Sequence, residues 1–184
     1  MKRIILLVMC LLIAIPSLVL ANEKPRVGVV TVCSSALRND KQAMDTLDGG
    51  LEKPFNRILY EVIPYNQSRS AFIDFADRKN IKDMKDLKRD DLLEFGKQQG
   101  FDYLLYAQVT GTPVGGSAGL FSYTAKYVMD ADIKFINVNN GEAPYLNILT
   151  ADAKGNSATK IFNDGMPKLM QKFAEQFKPG ELVK

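Results

Sequence analysis

The residues able to carry chemistry in this chain are few, and the sequence contains no histidine. The commonest general base at neutral pH and the commonest zinc ligand are therefore missing, and neither a Ser-His nor a Cys-His nucleophilic dyad can be built. Cys33, beside Ser34 and Ser35, is a candidate thiol nucleophile, but nothing near it in sequence supplies a base. A buried small apolar residue at the end of a strand is the expected reading. Asp130 and Asp132 project from one strand face, a spacing that invites comparison with the paired carboxylates of a hydrolase. Lys126 and Lys134 share that face, so a solvated cross-strand charge pattern is expected instead. Asp40, Asp45 and Asp48 lack the alternating oxygen ligands and closing glutamate of a calcium loop. The glycine-rich run Gly111 to Gly119 lacks a Gly-Lys-Ser/Thr ending and leads into a strand, so it assembles no phosphate cradle. It reads as a mobile hairpin tip, with Val114, Gly115, Gly116, Leu120 and Phe121 as a candidate contact loop. No catalytic residue, cofactor or metal site is assigned.

The elements that must position these residues follow from periodicity. Arg26 to Val32 is a β-branched run expected to be a buried strand. The segment Ser34 to Asp48 is mixed and ends at Gly49-Gly50. From Leu51, Phe55, Ile58 and Leu59 have helical spacing with Pro54 near the start, and Glu61 to Pro64 reads as a short strand. Residues 66–91 alternate in charge sign, as a solvated helical or loop surface does. A helix from about Asp90 to Gln99 ends at Gly100, which suits a left-handed cap. Tyr103 to Val109 is the next strand. Tyr123, Ala125, Tyr127, Met129, Ala131, Ile133 and Phe135 then alternate with mainly polar residues, the pattern of a long antiparallel strand with one face on a core. Asn140-Gly141 suits a type I′ turn that pairs this strand with Glu142 to Thr150. Asn156 or Ser157 can cap a final helix with a wide apolar stripe from Ile161 to Phe177, bent or split at Pro167, and Pro179-Gly180 ends the domain. The expected fold is α/β (α+β-like): a mixed sheet of about five strands with a long antiparallel hairpin and helices packed on the sheet.

Residues 1–21 read as a cleavable secretory signal peptide. Lys2 and Arg3 precede an apolar run from Ile4, and Val19-Leu20-Ala21 places small residues at the −3 and −1 positions. The rival is a retained membrane anchor, since Ile4 to Ala21 approaches the length of a bilayer span. Pro16 and the terminal Val-x-Ala favour cleavage. Cys10 follows Met9 inside the apolar run, which does not suit lipidation. Residues 22–184 suit one domain large enough to bury a core without staples. Of the 24 basic residues, 22 remain after cleavage against 21 acidic ones, so nothing favours a nucleic-acid partner. One thiol, Cys33, is left, and any disulfide would join two chains.

The run Gly100-Phe101-Asp102-Tyr103-Leu104-Leu105-Tyr106-Ala107-Gln108-Val109-Thr110-Gly111 is a strand that ends in glycine. The chain continues through Asp132-Ile133-Lys134-Phe135-Ile136-Asn137-Val138-Asn139-Asn140-Gly141-Glu142 and closes with an amphipathic helix. From Arg26 to Phe177 this order resembles the α/β domain shared by the TolB amino-terminal domain, the curli-secretion lipoprotein (CsgG) family and the lipoprotein activators of penicillin-binding proteins. The chain departs from that group in three ways. No cysteine stands at the cleavage point, Asn140 replaces the usual threonine, and no pore-forming insertion is evident. The resemblance implies a non-catalytic envelope domain that binds other proteins or assembles with itself.

The expected function is therefore an exported accessory protein, periplasmic or extracellular. It acts by contacts with envelope proteins or by self-association, without nucleic acid and without a stable membrane span after cleavage. The alternative is a binding protein for a small ligand or cell-wall fragment, with Tyr103, Tyr106, Tyr123 and Tyr127 as an aromatic platform, although strand parity places these tyrosines with the core. A hydrolase centred on Asp130 and Asp132 comes third.

Overall fold

The computed structural model describes residues 23–33, 41–119 and 123–183. The elements are β1 (Arg26–Cys33), α1 (Lys41–Glu52), β2 (Glu61–Val62), α2 (Tyr65–Arg78), a short 3-10 turn (Met84–Asp86), α3 (Arg89–Gln99), β3 (Tyr103–Ala118), β4 (Tyr123–Asn137), β5 (Tyr145–Gly155), α4 (Ala158–Gln176) and α5 (Pro179–Leu182). The strands form one sheet in the order β2-β1-β3-β4-β5. β1 runs parallel to both its neighbours, whereas β3, β4 and β5 are antiparallel to one another. The chain is thus α/β with a mixed five-stranded sheet, as the alternation of periods in the sequence requires.

Two cores lie on opposite faces of the sheet. On one, Leu47 and Leu51 of α1 and Phe162, Met166, Leu169 and Phe173 of α4 bury the inward residues of β4, among them Met129, Ala131, Ile133 and Phe135. Gly165 allows α4 to approach closely, since a Cβ there would lie 2.8 Å from that of Ala153. On the other face, Phe72 and Phe75 of α2 and Phe95 of α3 pack on Val30, Leu104, Tyr106 and Ile136. α3 ends where Gly100 takes φ +65°, a conformation that glycine adopts without strain.

Four sequence expectations are corrected. The helix is not at Leu51 to Leu59 but upstream, over Lys41–Glu52. Pro54 cannot continue it, and Asn56 instead folds a turn by accepting the Ile58 N–H on Oδ1 at 2.8 Å. Gly111 to Ala118 is strand rather than loop, paired with β4 out to Ala118↔Tyr123. The aromatic and β-branched residues of β4 provide a ladder that outweighs the low strand propensity of glycine and proline. The turn between β4 and β5 is wider than type I′. Asn137 Oδ1 accepts the N–H groups of Asn139 and Asn140 at 3.0 and 3.3 Å, and of the two turn residues only Gly141 has positive φ, +77°. Finally, of the two outcomes expected at Pro167 the split does not occur, since α4 is one helix through it, and Pro179 begins a further short helix.

β5 is an edge strand with no proline and no bulge, the type of edge that invites pairing with another chain. Side chains of α4 cover it. Asp164 Oδ2 accepts the Lys154 N–H at 2.9 Å, Lys168 donates to the Asp152 carbonyl at 2.9 Å, and Lys172 donates to the Thr150 carbonyl at 2.6 Å. Replacing Lys168 and Lys172 together by alanine is expected to add concentration-dependent self-association in sedimentation velocity. An unchanged sedimentation profile would mean that these lysines do not protect the edge.

Candidate functional site

The chain passes from β1 through α1 on one face to β2, then through α2 and α3 on the other face to β3. In a parallel sheet this reversal opens a crevice at the carboxyl ends of the strands, here at the end of β1. A cavity of about 540 Å³ lies there, lined by Thr31, Val32 and Cys33 of β1, Met44 of α1, and Arg69, Phe72, Ile73, Ala76 and Asp77 of α2, among others.

Behind the cavity stands Asp48, whose side chain follows Met44 by four residues and precedes Leu51 by three. It therefore falls on the buried stripe of α1. It is 0% exposed. Thr31 donates its hydroxyl to Asp48 Oδ1. Arg69 Nη1 stands 3.2 Å from Oδ2. That ion pair lies off the line a hydrogen bond needs, so Oδ2 has no hydrogen-bond partner. Burial consequently prevails over the Thr31 hydrogen bond and the Arg69 charge, and the Asp48 carboxyl is raised to about 6. Tyr65 completes the cluster. Its hydroxyl donates to Asp45 at 2.9 Å, its backbone N–H donates to Glu52 at 2.8 Å, and Arg69 lies over its ring at 5.6 Å. These contacts tie α1 to α2 across the end of β1.

Cys33 is buried beside this cluster. Burial first, and then the nearby Asp48 charge, raise its thiol to about 12, so it stays protonated and is a poor nucleophile. A carboxyl that binds a proton near pH 6 is a possible general base in principle, but Asp48 has no exposed surface through which to exchange it with a substrate. The cluster as it stands clamps the crevice rather than reacting in it. The sequence signal for it was an acidic residue on an apolar helical stripe, joined to a threonine inside the β1 run.

The other sequence candidates separate. Asp130 accepts from the Thr150 hydroxyl at 2.8 Å, whereas Asp132 pairs with Lys134 at 2.9 Å, so each carboxylate has its own neighbour. Tyr103 stacks on Phe135 in one core and Tyr106 lies in the other, and Tyr123 is exposed at the far end of β4, so the four tyrosines form no common platform. No group of three or more potential metal ligands occurs among the described residues. No helix among them is long and apolar enough to cross a membrane.

Of the candidate contact loop, Val114, Gly115 and Gly116 lie in the outer half of β3, while Leu120 and Phe121 lie outside the described residues. Beyond Val109, the last residue paired with β1, β3 has no second neighbouring strand among the described residues. Register shifts between Pro113 and Gly115, which makes Val114 the bulged residue, and it is 58% exposed. Every residue from Thr112 to Gly119 is exposed.

No protein-family model and no curated protein matches the chain. Among solved structures it is similar to lipoprotein GNA1162 from Neisseria meningitidis, at 15% identity over 83% of this chain and 96% of that one, with a TM-score of 0.46. It is similar to the LpoB C-terminal domain from Salmonella enterica at 13% identity, over 71% and 85% of the two chains, with a TM-score of 0.37. A third is TolB from Acinetobacter baumannii, at 10% identity over 84% of this chain and 29% of that one, with a TM-score of 0.34. At such identities and TM-scores the likeness carries no argument about activity, partner or location.

Proposed function

We propose that this chain is an exported, non-catalytic accessory protein of a bacterial envelope, working through protein contacts made by the outer half of β3 with Val114 as the apolar contact point. The observation that carries this reading is the continuation of β3 past its neighbour β1, with both faces of Thr112 to Ala118 exposed. Glycine, proline and a bulge make this a poor strand by itself, and it closes no core. A chain that extends such an edge into water offers it to a partner, either an envelope protein or a second copy. The lack of histidine and the protonated, buried Cys33 support the non-catalytic reading. The leader, ending at Ala21, supports export to the periplasm or the exterior, with residues 22–184 as the mature domain.

The cavity at the end of β1 favours a second reading, the binding of a small ligand, because it combines the apolar side chains of Phe72, Ile73 and Ala76 with polar groups that include the Arg69 guanidinium. The two readings differ in which substitution matters. Affinity isolation of the cross-linked protein from its own envelope is expected to retain a discrete protein partner that Val114→Asp loses and Ile73→Ser keeps. The opposite pattern, or retention of glycan or lipid alone, would favour the ligand reading.

A further inference from the structure

The side chains of α4 cover only one half of the β5 edge. Lys172 donates to the Thr150 carbonyl, Lys168 donates to the Asp152 carbonyl, and Asp164 accepts the Lys154 N–H. These bonds also reveal which way the backbone faces. In an antiparallel ladder the N–H and C=O of one residue point to the same side, and alternate residues point to opposite sides. Thr150, Asp152 and Lys154 direct theirs away from β4, so Ile148 and Leu146 do the same. β5 is the last strand of the sheet, and among the described residues nothing bonds to the outward N–H and C=O of Leu146 and Ile148. The side chains of this uncovered half are apolar and in water, Leu146 at 66% and Ile148 at 65% exposure, on the sheet face opposite α4.

Free backbone donors and acceptors along an edge call for another strand. The neighbouring residues decide which strand. A second β5 laid antiparallel, with Asn147 facing the partner's Asn147, sets Leu146 against the partner's Ile148, and each such pair exchanges both backbone hydrogen bonds. The same register sets Thr150 against the partner's Pro144. The Thr150 carbonyl is already taken by Lys172, and proline has no N–H to offer it, so no bond is lost there. Neighbouring registers fit less well. Moving the axis to Ile148 aims the Leu146 N–H at the Thr150 carbonyl that Lys172 holds, and moving it to Leu146 leaves the Ile148 carbonyl facing a proline. With the axis at Asn147, the aliphatic pairs of both chains meet on the open face. On the other face the axis passes Asn147, which donates to Gln176 at 2.7 Å, so no charge faces its like there.

We infer that the uncovered half of β5 pairs with the same stretch of a second copy about a two-fold axis at Asn147, joining two sheets edge to edge. The contact uses one patch twice and therefore closes at two copies. Lys168 and Lys172 stop the pairing from running along the rest of the strand. A pairing of so few residues falls below the roughly 1,200 Å² of total burial of a stable complex, so the dimer is weak. β4 and β5 separate β3 from this axis, which leaves the outer half of β3 free.

The chain from Asn22 contains every described element and is the form to test. Sedimentation equilibrium from about 10 μM to about 1 mM should show a monomer–dimer equilibrium with a dissociation constant on the order of 100 μM. Ile148→Lys changes a side chain that already stands in water, so it spares the fold, and it should raise that constant about tenfold or more. Val114→Asp should leave it unchanged. The register has its own readout. Asn147→Cys should give a disulfide-linked dimer under a mild oxidant, since the two positions face each other at a non-hydrogen-bonded pair whose Cα separation suits a disulfide. Asp152→Cys, on the same strand but about 33 Å from its counterpart in that register, should not. A monomer at every concentration, a dimer indifferent to Ile148→Lys or lost with Val114→Asp, no cross-link from position 147, or equal cross-linking from 147 and 152 would overturn the inference.

Discussion

Replacing Arg69 with alanine is expected to destabilise the fold by about 1–2 kcal/mol at neutral pH, the most that losing its charge can cost before Asp48 takes up a proton instead. The cause is Asp48, which has no exposed surface and would lose the charge that stands 3.2 Å from its Oδ2. The effect must depend on pH, and its sign follows from the wild-type carboxyl. In the folded protein Asp48 is raised to about 6, above its ordinary value of 3.8, so the folded state holds this proton more tightly than the unfolded chain. Its contribution to stability is therefore greatest below pH 4 and falls as pH rises towards 6, by about 3 kcal/mol in all. Below about pH 5 the protonated carboxyl no longer needs Arg69, so Arg69→Ala should be much milder there. Adding Asp48→Asn to Arg69→Ala should restore most of the loss at pH 7.5. Denaturant titrations of the three variants at pH 4.5 and 7.5 measure this. An equal loss at both pH values would mean that Arg69 acts by packing over Tyr65 and not by charge.

Cys33 is expected to resist alkylation in the folded protein by a factor of about 1,000 or more relative to the unfolded chain. A thiol raised to about 12 carries roughly a thousandth of the thiolate of an ordinary cysteine at neutral pH, and its burial adds to the protection. Iodoacetamide labelling at pH 8, with and without denaturant, reads the ratio by mass. The same protection opposes a disulfide between two folded copies, so self-association of the folded domain should survive reducing agent unchanged. Rapid labelling without denaturant would show that the end of β1 opens readily and would weaken the account of the Asp48 cluster as a clamp.

Much of the fold was legible because periodicity is strong where a face is buried. The alternation from Tyr123 to Phe135 marked β4 and its inward face, and Gly100 marked the end of α3. The apolar spacing of Ile161 to Phe177 marked α4, with Ser157 accepting the Lys160 N–H as its cap. The errors fall where local preference and tertiary pairing oppose each other. Gly111 to Ala118 has turn composition but lies against a strong strand, and Leu51 to Leu59 has helical spacing that Pro54 and Asn56 interrupt. Ile58 and Leu59, given helical spacing by the sequence, stand exposed in the turn that Asn56 folds.

The polar cluster was harder to read. Asp48 looked like one of three scattered carboxylates, since nothing in a linear sequence brings it to Thr31 and Arg69 from two other elements. The candidate contact residues were expected in a loose hairpin tip, and those described lie in a strand. Val114 is an exposed bulge on an extended edge and not the tip of a loose loop, which makes it a more defined surface than a loop provides. The exposed pair Leu146 and Ile148, on the sheet face left open beyond α3, was not singled out, because the register of β5 depends on a turn wider than type I′.

The measurement that tests the proposed role most directly is site-specific photo-cross-linking in the native envelope, with the reactive group placed at Val114 and, as a control, at Thr159 on the exposed start of α4. Protein contact through the outer half of β3 predicts a discrete protein adduct from position 114, of one reproducible mass, and none from position 159. Equal diffuse labelling from both positions, or no adduct from 114 in cells that make the protein at its natural level, would contradict it.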